Sequence, residues 1–170
     1  DLINTMQFSH ERTAFKASFN ILGIKENNKI LIPDFICESI LHPLYAENIQ
    51  PSFYSLKDDL SPDWEKLTNL VDINTKAILM VHYFGQPQNI QKFQDFCRLY
   101  NLYLIEDNSH GHGGKYNGKL LGTYGDVGFS SPRKLINIYS GGILFINKKE
   151  LEHFKIPLIA KYPVKTYLKI

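Results

Sequence analysis

The chain has 170 residues, a formal net charge of +2, and 44% hydrophobic and 21% charged residues, enough for one domain with a sizeable core and too little for two full-sized ones. Both charge signs are mixed along the sequence, so no basic stripe marks a nucleic-acid surface, and apolar runs such as residues 77–81 have strand length, which argues against a membrane span. Cys37 and Cys97 make neither a CxxC pair nor a disulfide framework, and no signal sequence opens the chain; a cytoplasmic protein with reduced thiols is expected.

Apolar periodicity predicts a first helix over residues 13–22, stopped by Gly23. "KILIP" reads as a short buried strand, residues 37–47 as a helix and "PSFYSL" as the next strand. "SPDWEKLTNLV" predicts a helix with Ser61 as N-cap and Pro62 in the first helical position. "KAILMVHYFG" is an apolar strand, "NIQKFQDFCRLYN" an amphipathic helix and "LYLIEDNSHG" another strand. Tyr116-Asn117-Gly118-Lys119 has the composition of a type I′ hairpin turn, and "DVGFSS" and "GGILFIN" return to strand character. This alternation predicts an α/β fold, a mostly parallel sheet with helices on both faces. The chain begins with Asp1, and its end, "FKIPLIAKYPVKTYLKI", shows no periodic element; a piece of a longer protein is expected.

In open α/β sheets ligands lie beyond the carboxyl ends of the strands. Those ends carry Pro33-Asp34, His82, Glu106-Asp107 and Ser130-Ser131. No GxGxxG follows the first strand and no P-loop is present, which argues against a dinucleotide or a nucleoside triphosphate. In extended backbone His110 and His112 of "HGHGG" would share a side, but no Cys or acid stands at a metal-ligand spacing, and no metal site is expected. His82, a lone histidine at a strand end, reads as structural. Lys134 alone would be a solvated loop charge. An aspartate at one strand end and a lysine after a serine-bearing strand end nevertheless form the pattern that pyridoxal phosphate chemistry requires: an amine for the aldehyde, a carboxylate for the pyridine nitrogen, hydroxyl and N–H groups for the phosphate. Gly141 and Gly142 let the backbone return close by without a Cβ, and burial beside Arg133 is expected to favour the free amine of Lys134.

Five blocks in this order resemble the DegT/StrS family of sugar aminotransferases: "ERTAF", "ILIPDFICES", "VHYFGQP", "IEDNSHGHGGKYNGKLLGTYGDVGFS", and "SSPRK" followed by "GG". The resemblance extends to about His153. It implies the large domain of the aspartate aminotransferase type I fold over residues 1–155, incomplete, with residues 156–170 as an irregular tail and the small C-terminal domain absent.

Position by position, the resemblance makes Lys134 the Schiff-base lysine and Asp107 the partner of the pyridine nitrogen. Thr13 and Ala14 fall at the phosphate, where a helix N-terminus suits an anion, together with Ser130 or Ser131. His110 stands where the family usually has Gln beside the phenolic oxygen. Cys37 stands where an aromatic commonly stacks on the ring, and Glu11 replaces a familiar Gly near the phosphate. The implied reaction is transamination from glutamate to a nucleotide-linked keto sugar, in amino-sugar or surface-polysaccharide biosynthesis, by a homodimer; a branch that dehydrates sugars has His in place of this lysine. The competing readings are a non-catalytic truncated or split remnant that needs a second chain, and a plain α/β binding module.

Overall fold

A computed structural model describes residues 4–151; the expected tail over residues 156–170 lies outside the described residues. Among the described residues, nine strands and four α-helices follow one another as β1 (Asn4–Phe8), α1 (Glu11–Ile21), β2 (Lys29–Pro33), α2 (Leu41–Ala46), β3 (Gln50–Tyr54), α3 (Trp64–Thr68), β4 (Thr75–Val81), α4 (Ile90–Tyr100), β5 (Tyr103–Asn108), β6 (Lys115–Tyr116), β7 (Lys119–Leu120), β8 (Val127–Ser130) and β9 (Gly142–Ile146). Seven strands form one sheet in the order β1-β9-β8-β5-β4-β2-β3. Strands β3, β2, β4, β5 and β8 are parallel; β9 runs antiparallel to both β8 and β1.

The continuous apolar runs of the central strands arise because both sheet faces are covered. Alternate residues of one strand enter different cores: Ala77, Leu79 and Val81 of β4 meet Phe15, Phe19 and Leu44 of α1 and α2, while Ile78 and Met80 join Leu67 of α3 and Phe93 and Phe96 of α4. The helices following β1 and β2 thus lie on one face and those following β3 and β4 on the other. The change of face falls between neighbouring β2 and β4, so the chain leaves their carboxyl ends in opposite directions and opens a crevice there.

Three local readings differ from expectation. Strand β1 was not anticipated: its short "NTMQF" buries only one side of an edge strand, with Met6 and Phe8 against the core, and it becomes a strand through pairing with β9. The N-cap of α3 is Asp63, whose carboxylate accepts the Lys66 N–H at 3.4 Å. Ser61 donates instead to Asp59, and Pro62 lies in a β-bridge with Leu56, so the helix starts later than the serine and proline imply. Residues 109–114 turn rather than extend, and His110 and His112 part: His110 accepts the Phe84 N–H at 3.3 Å, and His112 meets Ser130 Oγ at 2.9 Å.

The hairpin follows the sequence reading, with φ of 46° at Asn117 and 77° at Gly118, the double left-handed geometry of a type I′ turn. A Cβ at Gly118 would meet nothing within 4 Å, so only backbone strain opposes it. Gly118→Ala is expected to lower stability by about 1 kcal/mol in denaturant unfolding.

Behind the hairpin, Glu106 ties the loop to the sheet. Its carboxylate, fully buried, accepts the N–H groups of Gly122 (2.5 Å), Tyr124 (2.6 Å) and Gly125 (2.9 Å), and lies 2.9 Å from His82 Nε2. Since His82 Nδ1 accepts the Gln88 N–H at 3.1 Å, Nε2 carries the ring proton and donates to Glu106. The histidine is structural, as expected.

Candidate active site

A cavity of about 310 Å³ occupies the crevice at the carboxyl ends of β2, β4 and β5, a volume suited to a small ligand. Its floor is Asp107, the penultimate residue of β5, beside Ser109. The β2 side contributes Phe35, Ile36 and Cys37, the β4 side Val81, Tyr83 and Phe84, and Lys134 and Glu11 close the remaining wall.

Asp107 is 5% exposed; its Oδ1 accepts the Ser109 N–H at 2.8 Å. Burial pushes its carboxyl above the usual range, against the Ser109 hydrogen bonds and the positive charge of Lys134. The Ser109 hydroxyl is buried and has no hydrogen-bond partner among the described residues. A carboxylate and an unused hydroxyl side by side in a cavity wall form a site for a polar, cationic ligand edge.

Lys134 ends a single 3₁₀ turn, Pro132–Lys134, that follows β8. It is exposed, so the burial expected of it is not found: the turn carries its side chain to the open mouth of the crevice while Arg133 faces Glu11 at 3.5 Å. Cys37 is also exposed; its Sγ lies 3.2 Å from Ser39 Oγ, and that contact, followed by the Ser39 backbone, holds the thiol below its ordinary value.

The two serines part company. Ser130 Oγ is engaged by His112, whereas Ser131 Oγ donates to Glu11 at 3.1 Å, beside the start of α1. Thr13 and Ala14 do not line the cavity. Their N–H groups are donated to the His10 carbonyl at 3.1 and 3.2 Å, and Ala14 is fully buried in the core. Gly142 explains how close the elements come: a Cβ there would stand 2.4 Å from the His10 carbonyl carbon and 2.6 Å from the Glu11 nitrogen.

The sequence reading did not single out Tyr83, Phe84 or Ser109. Tyr83 donates its hydroxyl to the Phe35 carbonyl at 2.6 Å, and their rings stack at 5.7 Å. Phe84 lies parallel to the His110 ring and holds a left-handed φ of 54° with the ring 72% exposed, a conformation uncommon for a bulky residue and concentrated at functional sites. The signal was present in "HYFGQP", where Gly85 (φ 81°) follows Phe84 and allows the turn.

The chain matches the sequence profile described as the DegT/DnrJ/EryC1/StrS aminotransferase family over residues 10–160. The chain belongs to this family. Family relatives include the GDP-perosamine synthase of Vibrio cholerae, 30% identical over 82% of this chain and 39% of that protein. Many solved structures share the fold, among them the following two. An aminotransferase from Psychrobacter cryohalolentis superposes with a TM-score of 0.78 at 21% identity, over 87% of this chain and 38% of that one. A GDP-4-keto-6-deoxy-D-mannose-3-dehydratase from E. coli, solved with bound hydrated PLP, gives 0.76 at 26% identity, over 88% and 41%. This family member therefore spans about two fifths of the length of the relatives it matches. The α/β fold with a mostly parallel sheet is that of the type I PLP aminotransferases, and among the described residues no helix is long and apolar enough to cross a membrane.

Proposed function

We propose that this chain forms the cofactor-binding part of a pyridoxal phosphate-dependent aminotransferase that moves an amino group, from glutamate in the first instance, to a nucleotide-linked keto sugar. The observation that carries the reading is the convergence of Asp107, the unpartnered Ser109 hydroxyl and Lys134 on one cavity. Those residues fit the ring and the aldehyde of pyridoxal phosphate: a buried carboxylate for the ring nitrogen, an exposed amine at the mouth, and Tyr83, Phe84 and Cys37 as walls. When bound, that cofactor supplies an electron-accepting ring and a carbonyl that carries nitrogen between donor and acceptor.

Each residue then has a task. Asp107 holds the ring nitrogen by charge and hydrogen bond. Lys134 Nζ is the amine that engages the aldehyde and the base that takes the donor's α-proton. His110 accepts the Phe84 N–H through Nδ1, which leaves Nε2 to donate toward a phenolic oxygen. Of the two serines, Ser131 is the one beside the start of α1, where the resemblance puts the phosphate end; its hydroxyl donates to Glu11, Ser130 is held by His112, and neither Thr13 nor Ala14 lines the cavity.

Two relatives carry GDP-linked sugars in their names, a perosamine synthase and a keto-deoxymannose dehydratase, which supports the substrate class; the lysine at residue 134 favours transamination over dehydration. The apolar residues Leu135, Ile136 and Ile138 after Lys134, with Phe35 and Phe84 at the cavity, are exposed, a surface that suits a second copy of the chain. The span of about two fifths of the relatives' length favours a second reading, a split or non-catalytic half-site that captures cofactor but turns over only with further chain.

The test is capture. Pyridoxal phosphate added to the chain should give a yellow species that borohydride fixes on the peptide containing Lys134, and Lys134→Ala should abolish the fixed label. Label spread over surface lysines, or retained in the alanine variant, overturns the assignment. Label on Lys134 without transfer of nitrogen from glutamate selects the half-site reading.

A further inference from the structure

The most unusual group at the cavity is Glu11. It is the first residue of α1, only 5% exposed, and it lines the cavity wall. Its carboxylate accepts the Ser131 hydroxyl at 3.1 Å and faces the Arg133 guanidinium at 3.5 Å, and the N-cap His10 offers the helix start no side-chain hydrogen bond. An uncapped helix N-terminus, a buried hydroxyl and an arginine converge on one point, and what sits at that point is a carboxylate of the chain itself. Burial works against its charge, but its own backbone N–H, Ser131, Arg133 and Lys134 together hold the carboxyl below the usual range, so it is ionised at neutral pH.

We propose that Glu11 occupies the anion subsite of this cavity and competes with an incoming phosphate group for Ser131 and Arg133, which makes it the residue that sets the preference between phosphorylated and unphosphorylated aldehydes. The inference rests on the cofactor reading for the identity of the aldehyde, and on geometry alone for the anion subsite. Arg133 already faces the Glu11 carboxylate at 3.5 Å, and a phosphate placed there meets a fixed negative charge, so the phosphate contributes little net affinity. With Glu11 made neutral, the same donors are released to the ligand. The Arg133 Nε, buried and without a hydrogen-bond partner among the described residues, shows that the guanidinium has capacity that the carboxylate does not use.

Two readouts on the full chain test this independently. Thermal unfolding is measured in inorganic phosphate against chloride of equal ionic strength, and pyridoxal and pyridoxal phosphate are titrated separately, with borohydride fixation on Lys134. For the wild type we expect no phosphate-specific rise in Tm and similar apparent affinities for the two aldehydes. Glu11→Gln should gain a phosphate-dependent rise in Tm and favour the phosphorylated aldehyde by at least about tenfold. Glu11→Gly should do the same if the glutamine variant folds poorly. Equal phosphate responses in wild type and variants, no response in either variant, or an unchanged aldehyde ratio overturns the proposal. A phosphate response gained in the variants with neither aldehyde fixed on Lys134 leaves Glu11 in its role and removes the cofactor reading instead.

Discussion

Glu106→Ala is expected to lower the stability of the chain by about 3–5 kcal/mol, out of a total of only about 5–15 for a domain of this kind. The reason is the number of groups that depend on one carboxylate. Three backbone N–H groups, of Gly122, Tyr124 and Gly125, and the His82 ring all turn inward to Glu106, and both side chains are fully buried. Removing the acceptor leaves those donors without water or partner, each costing its desolvation. The three backbone donors belong to the segment between β7 and β8, whose path also sets Gly122 against Gly128: a Cβ on Gly128 would stand 2.1 Å from the Gly122 oxygen. Loosening this segment therefore disturbs β8, and with it the turn that carries Lys134. Urea unfolding of wild type and variant measures the loss; a change below about 1 kcal/mol, the ordinary effect of a surface substitution or a single net hydrogen bond, contradicts this account.

Asp107→Asn is expected to act in opposite directions on the empty and the loaded chain. Burial raises the Asp107 pKa in the folded protein. A raised folded pKa means that stability is fully present below the unfolded value and lost as pH rises through the folded one. At neutral pH the wild type thus bears the cost of a charged buried carboxylate, which Asn, still able to accept the Ser109 N–H, avoids. The variant should unfold at a higher Tm than wild type near pH 7, with the difference closing as the pH is lowered toward the ordinary carboxylate pKa. Pyridoxal phosphate should reverse the order. Pairing with a ring cation recovers the cost only when the carboxylate is present, so the variant should lose about 2–5 kcal/mol of cofactor affinity, at least ~30-fold in Kd. A variant that binds the cofactor as well as wild type would show that Asp107 does not meet the ring nitrogen.

The elements that could be read from the sequence are those whose signal is local. Residues 77–81 and 103–105 are apolar on consecutive positions because both sheet faces are covered, and the hairpin at Asn117-Gly118 was legible because only a few residue types accept two left-handed conformations in a row. Strand β1 was not legible, since an edge strand with one buried side owes its existence to its partner β9, more than a hundred residues away. The α3 cap was misplaced for a related reason: the β-bridge between Leu56 and Pro62 holds the preceding segment extended.

For the site, the sequence by itself determined which chemistry-bearing residues end the strands, because a parallel α/β alternation sends every strand's carboxyl end to the same edge. It thereby placed Asp107 and Lys134 at one end of the sheet, where both line the crevice between β2 and β4. Only the tertiary structure decided what those residues touch. The change of helix face between β2 and β4 opened the cavity, and the left-handed Phe84 and the unpartnered Ser109 gave it walls and a floor. The approach of Gly142 to His10 and Glu11 brought β9 against the start of α1, where the Glu11 carboxylate meets Ser131 and Arg133. Side-chain contacts across a hundred residues depend on packing and backbone direction together, and neither is written in the identity of the residue or its neighbours.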